Sequence, residues 1–112
     1  MKIAIASSDG KIVNQHFGKA KQFLIFEVDD EEINFIEIRK NQPACGSTEF
    51  GGHTENALNR TVSLISDCEA VLCSRIGLGA EEELRKHGIE PVVAPYFIEE
   101  AILQYSRNRK YK

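Results

Sequence analysis

The pattern of hydrophobic and polar positions predicts five strands and three helices in this chain. Short apolar runs such as Ile3 to Ala6 are typical of buried strands, while apolar residues three and four positions apart are typical of helices that cover a core. The predicted strands are Lys2–Ser7, Gln22–Val28, Ile33–Ile38, Glu69–Cys73 and Ile89–Ala94, and the predicted helices are Thr54 to about Ser66, Ala80–His87 and Phe97 to about Arg109. The order of elements is therefore βββαβαβα.

Local signals at the helix ends support these boundaries. Thr54 is a residue type that caps helix N-termini, and Gly88 is the residue type that commonly follows a helix C-terminus. Ile98, Ala101 and Tyr105 have the spacing of one helical face. A chain of 112 residues has the length of about one domain, so we expect a single domain over residues 1–112.

The order of elements predicts an α/β fold with a mixed five-stranded sheet. Short connections make the first three strands an antiparallel meander, and helical connections add the later strands in parallel through right-handed crossovers. This arrangement is ribonuclease H-like. The loops after strands one, three and four then leave from one edge of the sheet, namely the edge formed by the ends of the strands, where ligands of such sheets bind. We expect that edge to carry residues 8–18, 41–53, 74–79 and 95–96.

Composition and charge exclude several classes of protein. The formal net charge is −3 and the only basic run ends the chain, which opposes wrapping of a nucleic-acid backbone. No run approaches the roughly 18 apolar residues of a membrane span, and the apolar run after Met1 is too short for a signal segment. We therefore expect a cytoplasmic protein with no nucleic-acid or membrane partner. In that compartment the three cysteines are expected to be free thiols.

Two glycines, Gly77 and Gly79, precede the second predicted helix. They could let the backbone approach a ligand closely, and the amide groups at the start of a helix attract anions. The same spacing also suits a plain tight turn between a strand and a helix, because G-x-G without a longer fingerprint has little specificity. Both interpretations stay open.

The strongest candidate for a metal or cluster ligand is Cys45. It lies in a glycine-containing segment where a thiol has little to pack against, and thiolate is a preferred ligand of soft metals and iron-sulfur clusters. An incidental exposed thiol is the alternative. His16, which precedes Phe17 and Gly18, could supply an imidazole to iron or zinc, or could instead bond a backbone carbonyl.

The other cysteines and histidines are weaker candidates. Cys68 and Cys73 are separated by about 16 Å of strand, at about 3.3 Å per residue, so they cannot bind one metal ion together. We expect Cys68 to be a small buried residue, whereas Cys73, near the sheet edge, could be a ligand or a core residue. His53 could assist Cys45 or serve the start of the first helix, and His87 suits the end of the second helix.

Six short phrases of the sequence are specific when they are taken together. They are Ala6-Ser7-Ser8-Asp9-Gly10, His16-Phe17-Gly18-Lys19-Ala20, Cys45-Gly46, Asp67-Cys68-Glu69-Ala70-Val71-Leu72, Arg75-Ile76-Gly77 and Gly88-Ile89-Glu90-Pro91. In this order they resemble the dinitrogenase iron-molybdenum cofactor biosynthesis family, which comprises NifX-like proteins and the carboxy-terminal domain of NifB. The likeness covers nearly the whole chain.

The resemblance implies a ribonuclease H-like fold and a protein that binds or escorts iron-sulfur precursors of the nitrogenase cofactor. Because no radical-SAM cysteine motif is present, it implies a binding module and not an enzyme. Our first hypothesis is therefore a carrier of an iron-sulfur or iron-molybdenum type cluster. Cys45 and His16 would be its main ligands, with His53 or Cys73 assisting and the helix start near Gly79 accepting anionic charge. Its partners would be a cluster donor or acceptor protein.

Two other classes of function remain as alternatives. A ribonuclease H-like nuclease needs clustered carboxylates for two metal ions. Asp9 and Glu55 could supply two carboxylates, but the end of the fourth predicted strand offers Arg75 and no acid. An interaction or regulatory module without a cofactor would leave the thiols incidental. The sequence leaves the oligomeric state open, and a homodimer could share a cluster between two Cys45 thiols.

Overall fold

The described residues of the computed structural model are 1–29, 32–41 and 53–110, with residues 53–57 and 109–110 described as backbone alone. They confirm the predicted order of strands and helices. The strands are β1 (Lys2–Ala6), β2 (Gln22–Asp29), β3 (Glu32–Lys40), β4 (Ala70–Cys73) and β5 (Glu90–Val93). The helices are α1 (His53–Leu64), α2 (Leu78–Lys86) and α3 (Ile98–Lys110), with an unpredicted 3₁₀ helix at Phe17–Lys19.

The five strands form one mixed sheet in the order β3-β2-β1-β4-β5. β1 is antiparallel to β2, with Ala4 opposite Ile25, and β2 is antiparallel to β3. β1 is parallel to β4, with Ala4 opposite Val71, and β4 is parallel to β5. The predicted meander followed by parallel crossovers is therefore confirmed, and β3 and β5 are the two edge strands.

A hydrophobic core lies on each face of the sheet, because successive strand residues point to opposite faces. On one face, α1 and α2 cover a core that includes Ala4, Ile25, Val62 and Leu84. On the other face, α3 covers a core that includes Ile3, Ile5 and Ile102. Full burial of one such side chain contributes about 1.5–3 kcal/mol, so both faces contribute to the stability of the sheet.

The second helix ends where the sequence predicts. Gly88 follows α2 with φ of +76°, a left-handed conformation that glycine adopts with little strain. His87 lies one residue earlier, and its Nδ1 is 2.9 Å from the Glu83 carbonyl oxygen, which confirms its expected position at the helix end. Within the described part of the chain, no helix is both long enough and apolar enough to cross a membrane.

A charged group connects β3 to the segment that precedes β4. The Arg39 guanidinium donates to both carboxylate oxygens of Asp67, at 2.6 and 2.9 Å, and to the Leu64 carbonyl at 2.9 Å. Lys2 Nζ donates to the same carboxylate at 3.2 Å. The bonds from Arg39, above all, hold the pKa of Asp67 well below its usual range. Since Leu64 is the last residue of α1, the group also holds the end of this helix against β3.

Candidate functional site

The loop after β1 forms one wall of the predicted sheet edge, and backbone hydrogen bonds hold it in place. The Gln15 amide donates to the Ala6 carbonyl at 3.2 Å, and the Ser74 amide donates to the Gln15 carbonyl at 2.9 Å. The Val13 amide donates to the Tyr96 carbonyl at 2.9 Å. The loops after β1, β4 and β5 therefore meet, as the sequence predicts. We call residues 8–20, 74–79 and 95–97 together the rim.

Asp9 holds the turn at the start of the rim. Its Oδ1 accepts the backbone amides of Lys11 at 2.9 Å and Ile12 at 3.1 Å, and the hydroxyl of the buried Ser7 at 3.2 Å. These bonds, with the Lys11 amide first, keep the pKa of Asp9 below its ordinary value. Gly10 has φ of +74°, which suits glycine at this turn. Asp9 thus has a structural role that the sequence analysis did not assign to it.

Phe17 anchors the middle of the loop while His16 stays at the surface. The Phe17 side chain is buried, with its ring centroid 5.8 Å from that of Phe23, and its amide donates to the Arg75 carbonyl at 2.8 Å. His16 is exposed and forms a parallel bridge with Arg75, which is also exposed. Backbones paired in this way lie about 4.8 Å apart, so the two side chains start from neighbouring positions.

The second helix begins directly after this pair of residues. Gly77 is the N-cap of α2 and supplies no side-chain cap to the amides of the first turn. A helix start of this kind carries partial positive charge and favours anions. Gly77 has extended backbone, with φ of −84°, and a Cβ atom added at Gly77 or Gly79 would meet nothing within 4 Å. Neither conformation nor crowding among the described residues requires glycine at 77, so the space beside the helix start is open to a ligand.

The rim has more cations than acids although the chain as a whole is acidic, because Asp9 is its single carboxylate. Lys11, Lys19 and Arg75 are exposed rim residues, whereas the formal net charge of the chain is −3. The Asp9 carboxylate bonds to amides of its own turn, and Glu81 is the acidic residue in the first turn of α2. The charge at the rim therefore favours an anionic ligand.

Cys73 ends β4 next to the rim, but its thiol lies in the core. The side chain is fully buried, and Sγ is 3.7 Å from the Val92 carbonyl oxygen. Burial raises the pKa of the Cys73 thiol to about 11. Because a metal ligand must be a thiolate, this arrangement does not support Cys73 as an open ligand at the rim. Cys68 is also buried, which raises its pKa to about 12 and confirms the expectation of a small core residue.

Two of the predicted ligands lie outside the described side chains. Cys45 lies outside the described residues, and His53 is described as the first backbone position of α1. Asn41 is the last described residue before Cys45. Its amide donates to the Lys21 carbonyl and its side-chain nitrogen donates to the Ala20 carbonyl, both at 2.8 Å. The segment that contains Cys45 therefore starts beside the C-terminal end of the rim loop.

The carboxylates that a nuclease would need are not assembled in the described part of the chain. Residues 1–29, 32–41 and 58–108, whose side chains are described, contain no group of three or more His, Cys, Asp or Glu side chains that could hold a metal ion. Arg75 follows the end of β4 where such an enzyme would need an acid. The sequence analysis did not select Arg75 because it considered only residue types that bind metals. The position of Arg75, two residues before Gly77, could have indicated that it lies near the start of the second helix.

Comparisons with known proteins identify relatives over most of this chain. The family described as dinitrogenase iron-molybdenum cofactor matches residues 1–108. The FeMo cofactor biosynthesis protein NifB of Frankia alni is 37% identical over 102 residues, which cover 91% of this chain and 20% of NifB. Protein NifX of Azotobacter vinelandii is 34% identical over 92 residues, which cover 82% of this chain and 55% of NifX. The chain thus spans about a fifth of the length of the NifB relatives.

A solved structure shows the same fold at low sequence identity. The apo form of the orange protein from Desulfovibrio gigas superposes with a TM-score of 0.64 at 13% identity. The match covers 96% of this chain and 88% of the orange protein. At this level of identity the likeness concerns the fold alone.

Proposed function

The chain belongs to the dinitrogenase iron-molybdenum cofactor family, and from this premise we propose that it carries an iron-sulfur or iron-molybdenum type cluster as cargo. The observation that supports the proposal most is the rim, where the exposed His16 lies beside Arg75 and the start of α2. An open surface of this kind can release its cargo as well as bind it. In this proposal the protein is a carrier and not a catalyst.

The proposed protein ligands are the His16 imidazole and the Cys45 thiolate, both of which suit iron. The Asn41 side chain donates a hydrogen bond to the Ala20 carbonyl. Ala20 directly follows the 3₁₀ helix, which begins after His16. At a rise of about 2 Å per residue, Ala20 is about 8 Å from His16. Cys45 stands four residues after Asn41, a stretch that spans at most about 14 Å, so covalent geometry allows both ligands to meet one cluster.

The cationic part of the rim would balance the negative charge that thiolate and sulfide give to a cluster. Arg75 supplies a full positive charge beside His16, and the amides near Gly77 and Gly79 supply partial charges. His53 is proposed as an assisting ligand, because α1 begins at this residue after the segment with Cys45. Cys73 is left out of the proposed ligand set because its thiol is buried.

Three finer assignments belong to the same proposal. The strand order β3-β2-β1-β4-β5, with helices on both faces, supports a ribonuclease H-like fold made of one domain over residues 1–112. The partners would be a cluster donor and a cluster acceptor, since a cargo must arrive and leave. The site of action would be the cytoplasm, where free thiols persist.

Anaerobic reconstitution with ferrous iron and sulfide tests this proposal. Wild-type protein is expected to gain visible thiolate-to-iron absorption and stoichiometric iron, whereas Cys45→Ala and His16→Ala should lose most of both. Cys68→Ala and His87→Ala are the matched controls, because Cys68 is buried and His87 lies at the far end of α2. Both controls should bind iron as the wild type does.

Two outcomes would count against the carrier. A colourless, metal-free wild type after reconstitution would favour an interaction module without a cofactor. Equal loss of iron in Cys45→Ala and Cys68→Ala would indicate that unfolding, and not the loss of a ligand, lowers the iron content. A circular dichroism spectrum of each variant separates these two causes.

A further inference from the structure

The edge strand β3 exposes an unusual amount of apolar surface. The exposed fractions of its side chains are 54% for Phe35, 46% for Ile36 and 48% for Ile38. β3 is nine residues long, and among the described residues its backbone pairs with β2 alone. A long apolar edge strand with free backbone groups is a template for pairing with another strand.

The opposite edge of the sheet does not share this property. β5 has four residues and contains Pro91, which has no backbone N–H to offer. Short strands and prolines are common protections of sheet edges. The contrast indicates that β3, and not β5, is adapted to a partner strand.

We propose that β3 pairs in antiparallel orientation with β3 of a second copy of this chain, so that two sheets become one. This proposal does not depend on the cargo proposed above. β3 starts with the acidic Glu32 and ends with the basic Arg39 and Lys40. Antiparallel self-pairing places the acidic start of each copy beside the basic end of the other, whereas parallel pairing would place like charges together.

A bulge in β3 restricts the register of this pairing. Ile25 of β2 lies opposite Glu37, but the next residue, Phe26, lies opposite Phe35, so Ile36 is an extra residue in β3. Consequently Phe35 and Ile38 lie on the same face, which they share with their β2 partners on the α3 side of the sheet. The alternation of side chains between the two faces of the sheet therefore shifts by one residue at the bulge.

One register satisfies both the faces and the charges. Side chains directly opposite each other in an antiparallel pair share a face. Placing Ile33 opposite Ile38 of the second copy meets this condition, and it also places Glu32 opposite Arg39 and Asn34 opposite Glu37. Because Ile36 is the extra residue of the bulge, Phe35 then lies opposite Phe35 of the second copy, at the two-fold axis. Apolar residues meet apolar residues, and Glu32 approaches Arg39, whose guanidinium also binds Asp67 and Glu37 of its own chain.

Such an assembly stops at two copies. A strand that pairs with itself about a two-fold axis uses the same surface on both subunits, so the interface is closed. The edges that remain are the two β5 strands, which are short and contain Pro91. The expected product is a dimer and not a filament.

Sedimentation velocity over the micromolar to submillimolar range tests the surface. The wild type should be a dimer that dissociates on dilution, whereas Ile36→Lys/Ile38→Lys should raise the dissociation constant at least about a hundredfold, because charged lysines then replace apolar side chains inside the pairing. The matched control is Leu78→Lys/Val93→Lys, which adds the same charge at exposed apolar positions away from β3. It should remain a dimer.

Disulfide trapping tests the register and does not rely on disrupting the fold. In a Cys45→Ala background, Asn34→Cys/Glu37→Cys should form a covalent dimer on mild oxidation. The two positions in one chain are roughly 10 Å apart, too far for a bond within the chain. Each single variant should stay uncrosslinked, because its thiol faces no second thiol.

Two results would overturn the proposal. A wild type that is monomeric throughout the concentration range, with no covalent product from the double-cysteine variant, would refute self-pairing. A dimer that survives Ile36→Lys/Ile38→Lys in a folded protein, again with no covalent product, would place the interface elsewhere. If the lysine variant is unfolded, the cysteine experiment decides.

Discussion

The rim and the buried-thiol region, which consists of Cys68, Cys73 and the core around them, both contain residue types that bind metals. They present those residues in opposite ways. In the rim, hydrogen bonds hold the backbone while the side chains of His16 and Arg75 stay in solvent. In the buried-thiol region, both thiols are inside the core, and burial raises the pKa of each.

The difference shows that residue type alone does not decide which side chains can act as ligands. Cys73 and Arg75 are only two positions apart, yet one is buried and the other is exposed. The chain changes from buried strand to open edge between them, at Ser74, whose amide bonds to the Gln15 carbonyl. A thiol inside a core is kept protonated by the cost of burying a charge, so it packs as a small apolar residue.

Replacing Phe17, which anchors the rim, is expected to have the largest effect on the free energy of unfolding. Phe17→Ala removes a buried ring that packs against Phe23, and should lower the free energy of unfolding by about 3–5 kcal/mol. Urea titration measures this loss. Phe97→Ala is the matched control, because the Phe97 ring is mostly exposed and should cost about 0.5 kcal/mol or less. Equal losses in both variants would show that Phe17 does not anchor the rim.

The second prediction concerns the reactivity of the buried thiols. A rise in pKa from 9.0 to about 11 leaves the Cys73 thiolate about a hundredfold scarcer at pH 8. In a Cys45→Ser variant, iodoacetamide should therefore label Cys73 and Cys68 at least about a hundredfold more slowly in the folded protein than in urea. Mass spectrometry of labelled peptides gives the rates. Rapid labelling of Cys73 in the folded protein would remove the distinction between the two regions.

The sequence predicted the sheet well because the apolar runs report burial directly. Residues 3–6 and 70–73 are apolar and prove to be buried, and Gly88 ends α2 as its type suggests. Predicted element ends differ from the observed ones by one or two residues, as at α1, where the helix ends at Leu64. Ends depend on local hydrogen bonds that hydrophobic periodicity does not encode.

The candidate site was harder to predict because it depends on contacts between distant segments. His16 was selected by residue type, but nothing in the order of residues shows that residue 16 pairs with Arg75. The orientation of Cys73 also follows from the register of β4 against β1 and β5, which the pattern of a fully apolar strand cannot reveal. Tertiary pairing, and not local preference, assembles this site.

A smaller effect is expected from the ion pair beside the buried-thiol region. The Cys68 sulfur lies 3.7 Å from Asp67, so Arg39 and Asp67 cover this part of the core. Asp67 is 43% exposed, and solvent screening limits the loss in Arg39→Ala to about 1 kcal/mol at neutral pH. Arg39→Lys, which keeps the charge without the two parallel bonds, should lose less. Urea titrations of both variants at several pH values measure these losses.

The pH dependence of that loss gives an independent check. The pKa of Asp67 is lower in the folded protein than the ordinary value of 3.8. The pair therefore contributes fully above that ordinary pKa, and the contribution disappears as pH falls through the lower folded value. The gap in unfolding free energy between wild type and Arg39→Ala should be constant from pH 7 to about pH 5 and narrow in stronger acid. A gap that widens in acid would contradict the assigned pairing.

The smallest expected effect on stability belongs to the exposed side chains of the rim, and it is the sharpest test of the comparison. Within the described part of the chain, the exposed side chains of His16 and Arg75 make no hydrogen bond, so His16→Ala and Arg75→Ala should each change the free energy of unfolding by about 0.5 kcal/mol or less. Both should nevertheless lower iron loading in the reconstitution experiment, and Arg75→Lys should retain more of it than Arg75→Ala because it keeps the positive charge. A large loss of stability in either alanine variant would show that the rim is part of the folded framework and not a surface left free for a ligand.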